Sequence, residues 1–252
     1  MTDEETQMAV GAPSHKKKPF PETRKFVPFR DAYRLQESFS AGAERKVLAW
    51  LAARLPARVN SDHLTLLGFV AMFLAGVSYA FARTNRAGLL LATLFLALNW
   101  FGDSLDGTLA RLRNRQRPRY GFYVDHMIDT FGGFFLMGGL ALSGFVDWRI
   151  ALGMYVAFLM LSVEVYLATY SVGTFRLSFA KFGPTEIRIL LALGNAVLWF
   201  HSDARVFGSI YRLFDVGGII AIAGMAIILI VSTLWNTIKL YRQEPVPRSS
   251  VE

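Results

Sequence analysis

Six long apolar runs follow one another along this 252-residue chain, at about residues 64–82, 87–111, 121–145, 150–174, 185–200 and 216–241. At about 1.5 Å per residue a helix over the first would reach roughly 28 Å, close to the ~30 Å hydrocarbon core of a bilayer. The residues are 53% hydrophobic and 18% charged, too apolar for an ordinary soluble domain. The expected fold is therefore all-α, a polytopic membrane protein with six transmembrane helices. Nothing before Leu64 reads as a cleavable signal peptide. The chain has no cysteine, which excludes disulfides and thiolate metal sites, and its four histidines are too scattered for a zinc site.

The flanking charge sets an orientation. Of the 27 Lys and Arg residues, 22 fall on one side of the six runs, and the other side has only Arg83, Arg86, Arg149, Arg205 and Arg212. An excess of Lys and Arg marks the cytosolic side, so both termini are expected there. The net charge of +8 is thus a topology signal, and no nucleic-acid partner is expected. Residues 1–40 read as a basic, disordered arm drawn to anionic lipid. From about 41 to 55, Val47, Leu48, Trp50, Leu51 and Leu55 alternate with Glu44, Arg45, Lys46 and Arg54. That pattern suits either an amphipathic helix in the headgroup layer or one packed on the protein surface. One membrane domain is expected over 41–245, followed by a short tail, 246–252. No internal repeat is visible, and Gly132, Gly133, Gly138 and Gly139 would allow close helix packing within one subunit or across a homodimer.

Residues 99–131, NWFGDSLDGTLARLRNRQRPRYGFYVDHMIDTF, carry the chemistry. Asp103 and Asp106 are spaced i, i+3 and Asp125 and Asp129 i, i+4, so on helices each pair shares a face. If the two helices lie side by side, four carboxylates converge. A carboxylate at the centre of a membrane helix costs roughly 2.5–3.5 kcal/mol and less towards the ends, so four together call for compensation. Hard divalent cations with oxygen ligands supply it, and two ions, Mg²⁺ or Mn²⁺, could bridge phosphates there. Gly107 and Ala110 leave room beside Asp103, Gly121 clears space at the start of the facing helix, and Arg111 offers a planar fork for phosphate.

Asp103-x₂-Asp106-Gly107-x₂-Ala110-Arg111…Gly121-x₃-Asp125-x₃-Asp129 resembles the signature of the CDP-alcohol phosphatidyltransferase family, eight positions over 27 residues. The six-run layout, with an amphipathic segment before the first, extends the likeness from about residue 41. Nine residues separate Arg111 from Gly121, where the family pattern usually has eight, and the addition falls in the arginine-rich loop. The resemblance implies that Asp103 and Asp125 bridge two metal ions, that Asp106 binds one, and that Asp129 is the general base and also touches metal. Gly107 and Arg111 would contact the CDP-linked donor. A hydroxyl would attack the phosphorus distal to cytidine and release CMP. CDP-diacylglycerol with a small polar alcohol is the favoured substrate pair, CDP-choline or CDP-ethanolamine with diacylglycerol its rival. A cation transporter with an acidic site would instead need polar residues along a crossing path and broken helices near mid-membrane.

Outside the motif the signals are weaker. Leu64-Thr65 matches the end of a family pattern that helps hold the nucleotide, while Asn60 and Ser61 equally suit a helix cap. Lys181, Glu186 and Arg188 enter the membrane on the aspartate side, where a Lys–Arg pair could receive an anionic acceptor such as an alcohol phosphate. They serve equally well as topology charges with Glu186 paired locally. Glu164, inside the fourth run, has to be paired or face a cavity. Asn99 lies one turn before Asp103 on the same face, and His126 points away from Asp125.

Overall fold

The first apolar run starts where Asn60 turns the backbone into a helix. Its Oδ1 accepts a hydrogen bond from the His63 amide at 2.9 Å, and the His63 ring accepts from the Asn60 amide in return, so two of the orphan amides at the helix start are satisfied locally. The computed structural model describes residues 33–35, 41–176, 183–206 and 208–244. Among these, seven helices follow in order: α1 Ala41–Arg54, α2 Ser61–Ala82, α3 Ala87–Leu112, α4 Pro118–Leu142, α5 Trp148–Val172, α6 Pro184–Phe200 and α7 Leu213–Gln243. The expected basic arm, the tail and Lys181 lie outside the described residues, apart from the arm's residues 33–35.

The expectation of an all-α chain holds but for two small sheets. Tyr33–Leu35 (β1) pairs in parallel with Thr174–Arg176 (β2). Asp203–Val206 (β3) and Ser209–Arg212 (β4) pair antiparallel, with Gly208 at a φ of 83° in the turn between them. Four helices, α2, α3, α5 and α7, are long and apolar enough to cross a membrane. The two others of the six expected spans fall short for plain reasons. Asp125, His126, Asp129 and the glycines depress the apolarity of α4, and α6 has only 17 residues, about 25 Å of helix.

Helix order in space corrects one expectation. The acid-bearing helices α3 and α4 do not lie side by side; α2 packs closely on both, and they hardly approach each other. Glycine contacts explain the arrangement. A Cβ on Gly102 would come within 2.6 Å of the Gly68 nitrogen and the Leu64 carbonyl, and one on Gly139 within 1.9 Å of the Gly76 carbonyl. The backbones of α2 and α3 therefore touch at one level and those of α2 and α4 at another, as small residues permit in membranes. Of the other glycines on α4, Gly132 faces Met72 of α2 and Gly133 faces Tyr155 and Phe158 of α5, whereas Gly138 faces open space. Three of the four thus serve packing inside the chain.

The remaining helices build outward: α5 on α4, α7 on α5, α6 on α3, and α1 across α3. One apolar core, around Ala75, Leu89, Leu96, Leu140 and Leu198, fills the end away from the acids, and a second joins Leu48 and Ala52 of α1 to Leu64, Leu105 and Leu109. In the first core Tyr79, fully buried, donates to Asn195 Oδ1 at 2.9 Å, and Asn195 donates to Thr93 at 3.0 Å. Large apolar side chains such as Leu66, Leu94, Ile220 and Leu234 cover the outside, as lipid contact requires.

Candidate active site

The acids of α3 take their positions from α2. Ser61 Oγ donates to the Asp106 backbone carbonyl at 2.9 Å, and Thr65 Oγ1 lies 2.7 Å from Asp106 Oδ2 and 3.0 Å from the Ser61 carbonyl. A hydroxyl has one proton to donate, and the shorter, charge-assisted bond to the carboxylate is the stronger. The Gly107 amide donates to the other oxygen, Oδ1. Asp106 is thereby buried, at 7% exposure, with each oxygen held.

Asp103 is held from the other side. Arg188, on α6, donates through Nη2 to Asp103 Oδ2 at 2.6 Å and through Nε to Asn99 Oδ1 at 2.8 Å. Asn99 in turn donates to the Gly68 carbonyl at 2.9 Å. Side-chain exposure is only 11% for Arg188 and 34% for Asp103, so this ion pair works at reduced dielectric, where a fork held at both tines is strong. Across the gap, Asp125 is half-buried and Asp129 exposed. Asp106 feels the charges of Asp103 and Asp125, and Asp129 those of the other three acids and of Arg188. The four carboxylates and one guanidinium thus form a single electrostatic group.

Space around the group follows the small residues. Nothing lies within 4 Å of a Cβ placed on Gly121, and one on Gly107 would meet only the tip of Arg111 at 3.5 Å. Arg111 folds back over Gly107 and donates to Thr108 Oγ1 at 3.1 Å. Beyond it α3 ends in a Schellman motif, with Asn114 at a φ of 52° and the Asn114 and Arg115 amides donating to Arg111 and Ala110 carbonyls. The residue added to the arginine loop therefore leaves the acid-bearing turns undisturbed.

Arg113 donates to the Leu55, Pro56 and Val59 carbonyls, and Arg117 pairs with Asp62. With Asn60, Ser61, Ala110, Arg115 and Gln116 these two arginines line a cleft of about 360 Å³. The cluster of five arginines in this loop is visible in the sequence, whereas the individual places of Arg113, Arg115 and Arg117 at the cleft follow only from the fold. Glu186 turns back to its own helix, Oε2 accepting from the Gly183 amide at 2.9 Å. Glu164 is paired with α7, Oε1 accepting from Ser232 Oγ and Asn236 Nδ2, each at 2.8 Å. His126 packs its ring 4.7 Å from that of Tyr166.

A family model for CDP-alcohol phosphatidyltransferases matches residues 59–236, from the loop before α2 into α7. The chain belongs to the CDP-alcohol phosphatidyltransferase family. Over 148 residues it is 34% identical to the archaetidylinositol phosphate synthase of Pyrococcus horikoshii, a match covering 55% of this chain and 72% of that relative. The protein is therefore a phosphotransferase of phospholipid synthesis with membrane helices, using a CDP-alcohol donor and an alcohol acceptor, and the transporter reading falls.

The family is generally dependent on divalent metal. Among the described residues no three acids or histidines are drawn tightly enough to enclose an ion. The donor chemistry nevertheless fits a divalent metal: four hard carboxylates stand in one electrostatic group.

Proposed function

We propose that this phosphatidyltransferase moves a substituted phosphate from a CDP-linked lipid, CDP-diacylglycerol or a lipid of like headgroup, to the hydroxyl of a small polar alcohol, and releases CMP. The observation that carries it is the constellation Asp103–Asp106–Asp125–Asp129 with Arg188, open to substrates beside Gly107 and Gly121. In this reading Asp103, Asp106, Asp125 and Asp129 would hold two divalent ions, whose chemistry there would be to offset the charge of the phosphates. Thr65 and the Gly107 amide fix the Asp106 carboxylate so that little reorganisation is needed on binding. Ala110, Gly107 and Gly121 admit the donor, and Arg111 swings from Thr108 to its phosphate. Asp129, the most exposed of the four acids, takes the proton of the attacking hydroxyl. The hydroxyl oxygen then bonds to the phosphorus distal to cytidine as the bond to the CMP oxygen breaks.

The acceptor is assigned as a phosphorylated polyol. The name of the Pyrococcus relative points that way, and Lys181 and Arg188 would be the cations of its subsite, with Arg188 reaching both Asp103 and an incoming phosphate and Glu186 holding the start of α6 through the Gly183 amide. All six helices α2–α7 cross the membrane in this reading, α1 lies in the headgroup layer, and both termini and the acids face the cytosol, where 22 of the 27 Lys and Arg residues fall. The catalytic domain spans residues 41–245.

Purified protein in nanodiscs, given CDP-diacylglycerol with inositol phosphate, glycerol phosphate or serine, and separately CDP-choline with diacylglycerol, each with Mg²⁺ or Mn²⁺, should release CMP with the first donor and a phosphorylated alcohol. EDTA and Asp129→Asn should each abolish it. CMP release that survives both would overturn the mechanism, and release from CDP-choline alone would transfer the assignment to the rival substrate pair.

A further inference from the structure

Glu44 stands apart from the motif, yet it is a buried acid, 9% exposed, on the first turns of α1. Its Oε1 accepts three hydrogen bonds: from Trp100 Nε1 at 2.8 Å, Ser104 Oγ at 3.3 Å and Thr185 Oγ1 at 2.8 Å. Trp100 and Ser104 directly follow Asn99 and Asp103, the two residues that Arg188 grips, and Thr185 lies one turn before Arg188 on α6. Neighbouring residues on a helix point about 100° apart. Arg188 therefore ties α6 to one stripe of α3, and Glu44 ties the same two turns together on the adjacent stripe.

We infer that Glu44 is a positioning residue for the transfer reaction: by holding Ser104 and Thr185 on one carboxylate oxygen, it keeps Arg188 on Asp103 and so sets the acceptor side of the site. The acceptor part of this inference rests on the proposed role of Arg188, while the donor side is positioned by the contacts of α2 with α3 and α4, none of which is made through Glu44.

The test is a set of Glu44 variants assayed for CMP release. Glu44→Ala should raise the acceptor KM about tenfold and leave the donor KM within about twofold. Glu44→Gln, which keeps the accepting oxygen, should restore both. If Glu44→Ala does not fold, Glu44→Asp, one methylene shorter and unable to reach both helices, takes its place with the same expectation. In an Arg188→Ala background the loss of Glu44 should cost nothing further. Because the chain lacks cysteine, spin labels at Leu66→Cys and Ile189→Cys report the spacing of α6 from the α2–α3 pair without any assay of activity. Glu44→Ala should broaden that distance distribution and Glu44→Gln should not. An unchanged distribution, or a uniform fall in kcat and both substrate affinities alongside Tm, overturns the inference. An Arg188→Ala enzyme with an unaltered acceptor KM overturns the role of Arg188 instead, and the label distances then decide on Glu44 alone.

Discussion

Adding one methyl group at Gly102 tests how the acids of α3 are held. The new Cβ would sit 2.6 Å from the Gly68 nitrogen and the Leu64 carbonyl oxygen, against the 3.4 Å at which ordinary contact begins. Both obstacles are backbone, so no side chain can rotate away, and α2 and α3 have to separate by about 0.8 Å. Overpacking of this kind costs about 1–3 kcal/mol. The same shift stretches the 2.7 Å bond from Thr65 to Asp106 to the limit of hydrogen bonding, and a bond to a charged group is worth about 1.5–3 kcal/mol. If even the lower part of that sum is lost from the positioning of Asp106, CMP release falls by at least about tenfold, since roughly 1.4 kcal/mol is a factor of ten. Gly102→Ala should therefore lower the thermal midpoint in nanodiscs, followed by tryptophan fluorescence, and lower CMP release well below that midpoint. Gly121→Ala is the control: with nothing within 4 Å of its Cβ, it should keep the midpoint and weaken donor binding only. Wild-type stability and activity for Gly102→Ala, or equal destabilisation by Gly121→Ala, would refute the reasoning.

Arg188→Lys keeps the charge but cannot place two donors on both Asn99 and Asp103; CMP release is expected to drop about tenfold, a loss of roughly 1.4 kcal/mol, and full activity in the same assay would rule out the fork. Tyr79→Phe removes the donor to buried Asn195, and buried interhelical hydrogen bonds in membranes are worth about 0.6–1.7 kcal/mol. Chemical or thermal unfolding should register that loss, with CMP release per folded molecule unchanged because the network lies at the end remote from the acids.

Local order was legible because apolar runs and polar breaks report helix ends directly. The expected 87–111 and 185–200 match Ala87–Leu112 and Pro184–Phe200 to within a residue, and the acid pairs fall on the helices their spacing required. Neighbourhood was not legible. The acidic motif suggests that its own two helices are partners, but glycines at 68, 76 and 102, with the legible Gly139, place α2 between them, and a lone glycine such as Gly68, Gly76 or Gly102 carries no periodic signal. Arg188 stood out as a charge entering the membrane, while its grip on Asp103 depends on a contact 85 residues away in sequence, beyond any local pattern. Glu44 looked like one polar residue on an amphipathic helix, because the three donors that bury it come from α3 and α6. The second sheet went unforeseen for the opposite reason: a four-residue hairpin arm in a loop is too short to show alternation.

The two glycine contacts of α2 give the site one fixed jaw and one that can pivot. The α2–α3 contact at Gly68 and Gly102 sits at the level of Asp103, backbone against backbone, and cannot yield. On the other jaw the rigid contacts are those of Gly76 with the Phe135 carbonyl and of Gly139 with Gly76; the nearer, at Phe135, is six residues beyond Asp129 and so about 9 Å along the helix, and before it Gly132 rests on the pliable side chain of Met72. A tilt of about 5° around that pivot would carry Asp129 through roughly 0.8 Å at such a lever length. That travel exceeds the ~0.2–0.5 Å by which oxygen distances differ between small and large divalent ions. In the proposed reading, a vice of this build would adjust its gap to an ion and a phosphate by moving α4 alone, with α2 and α3 left in place.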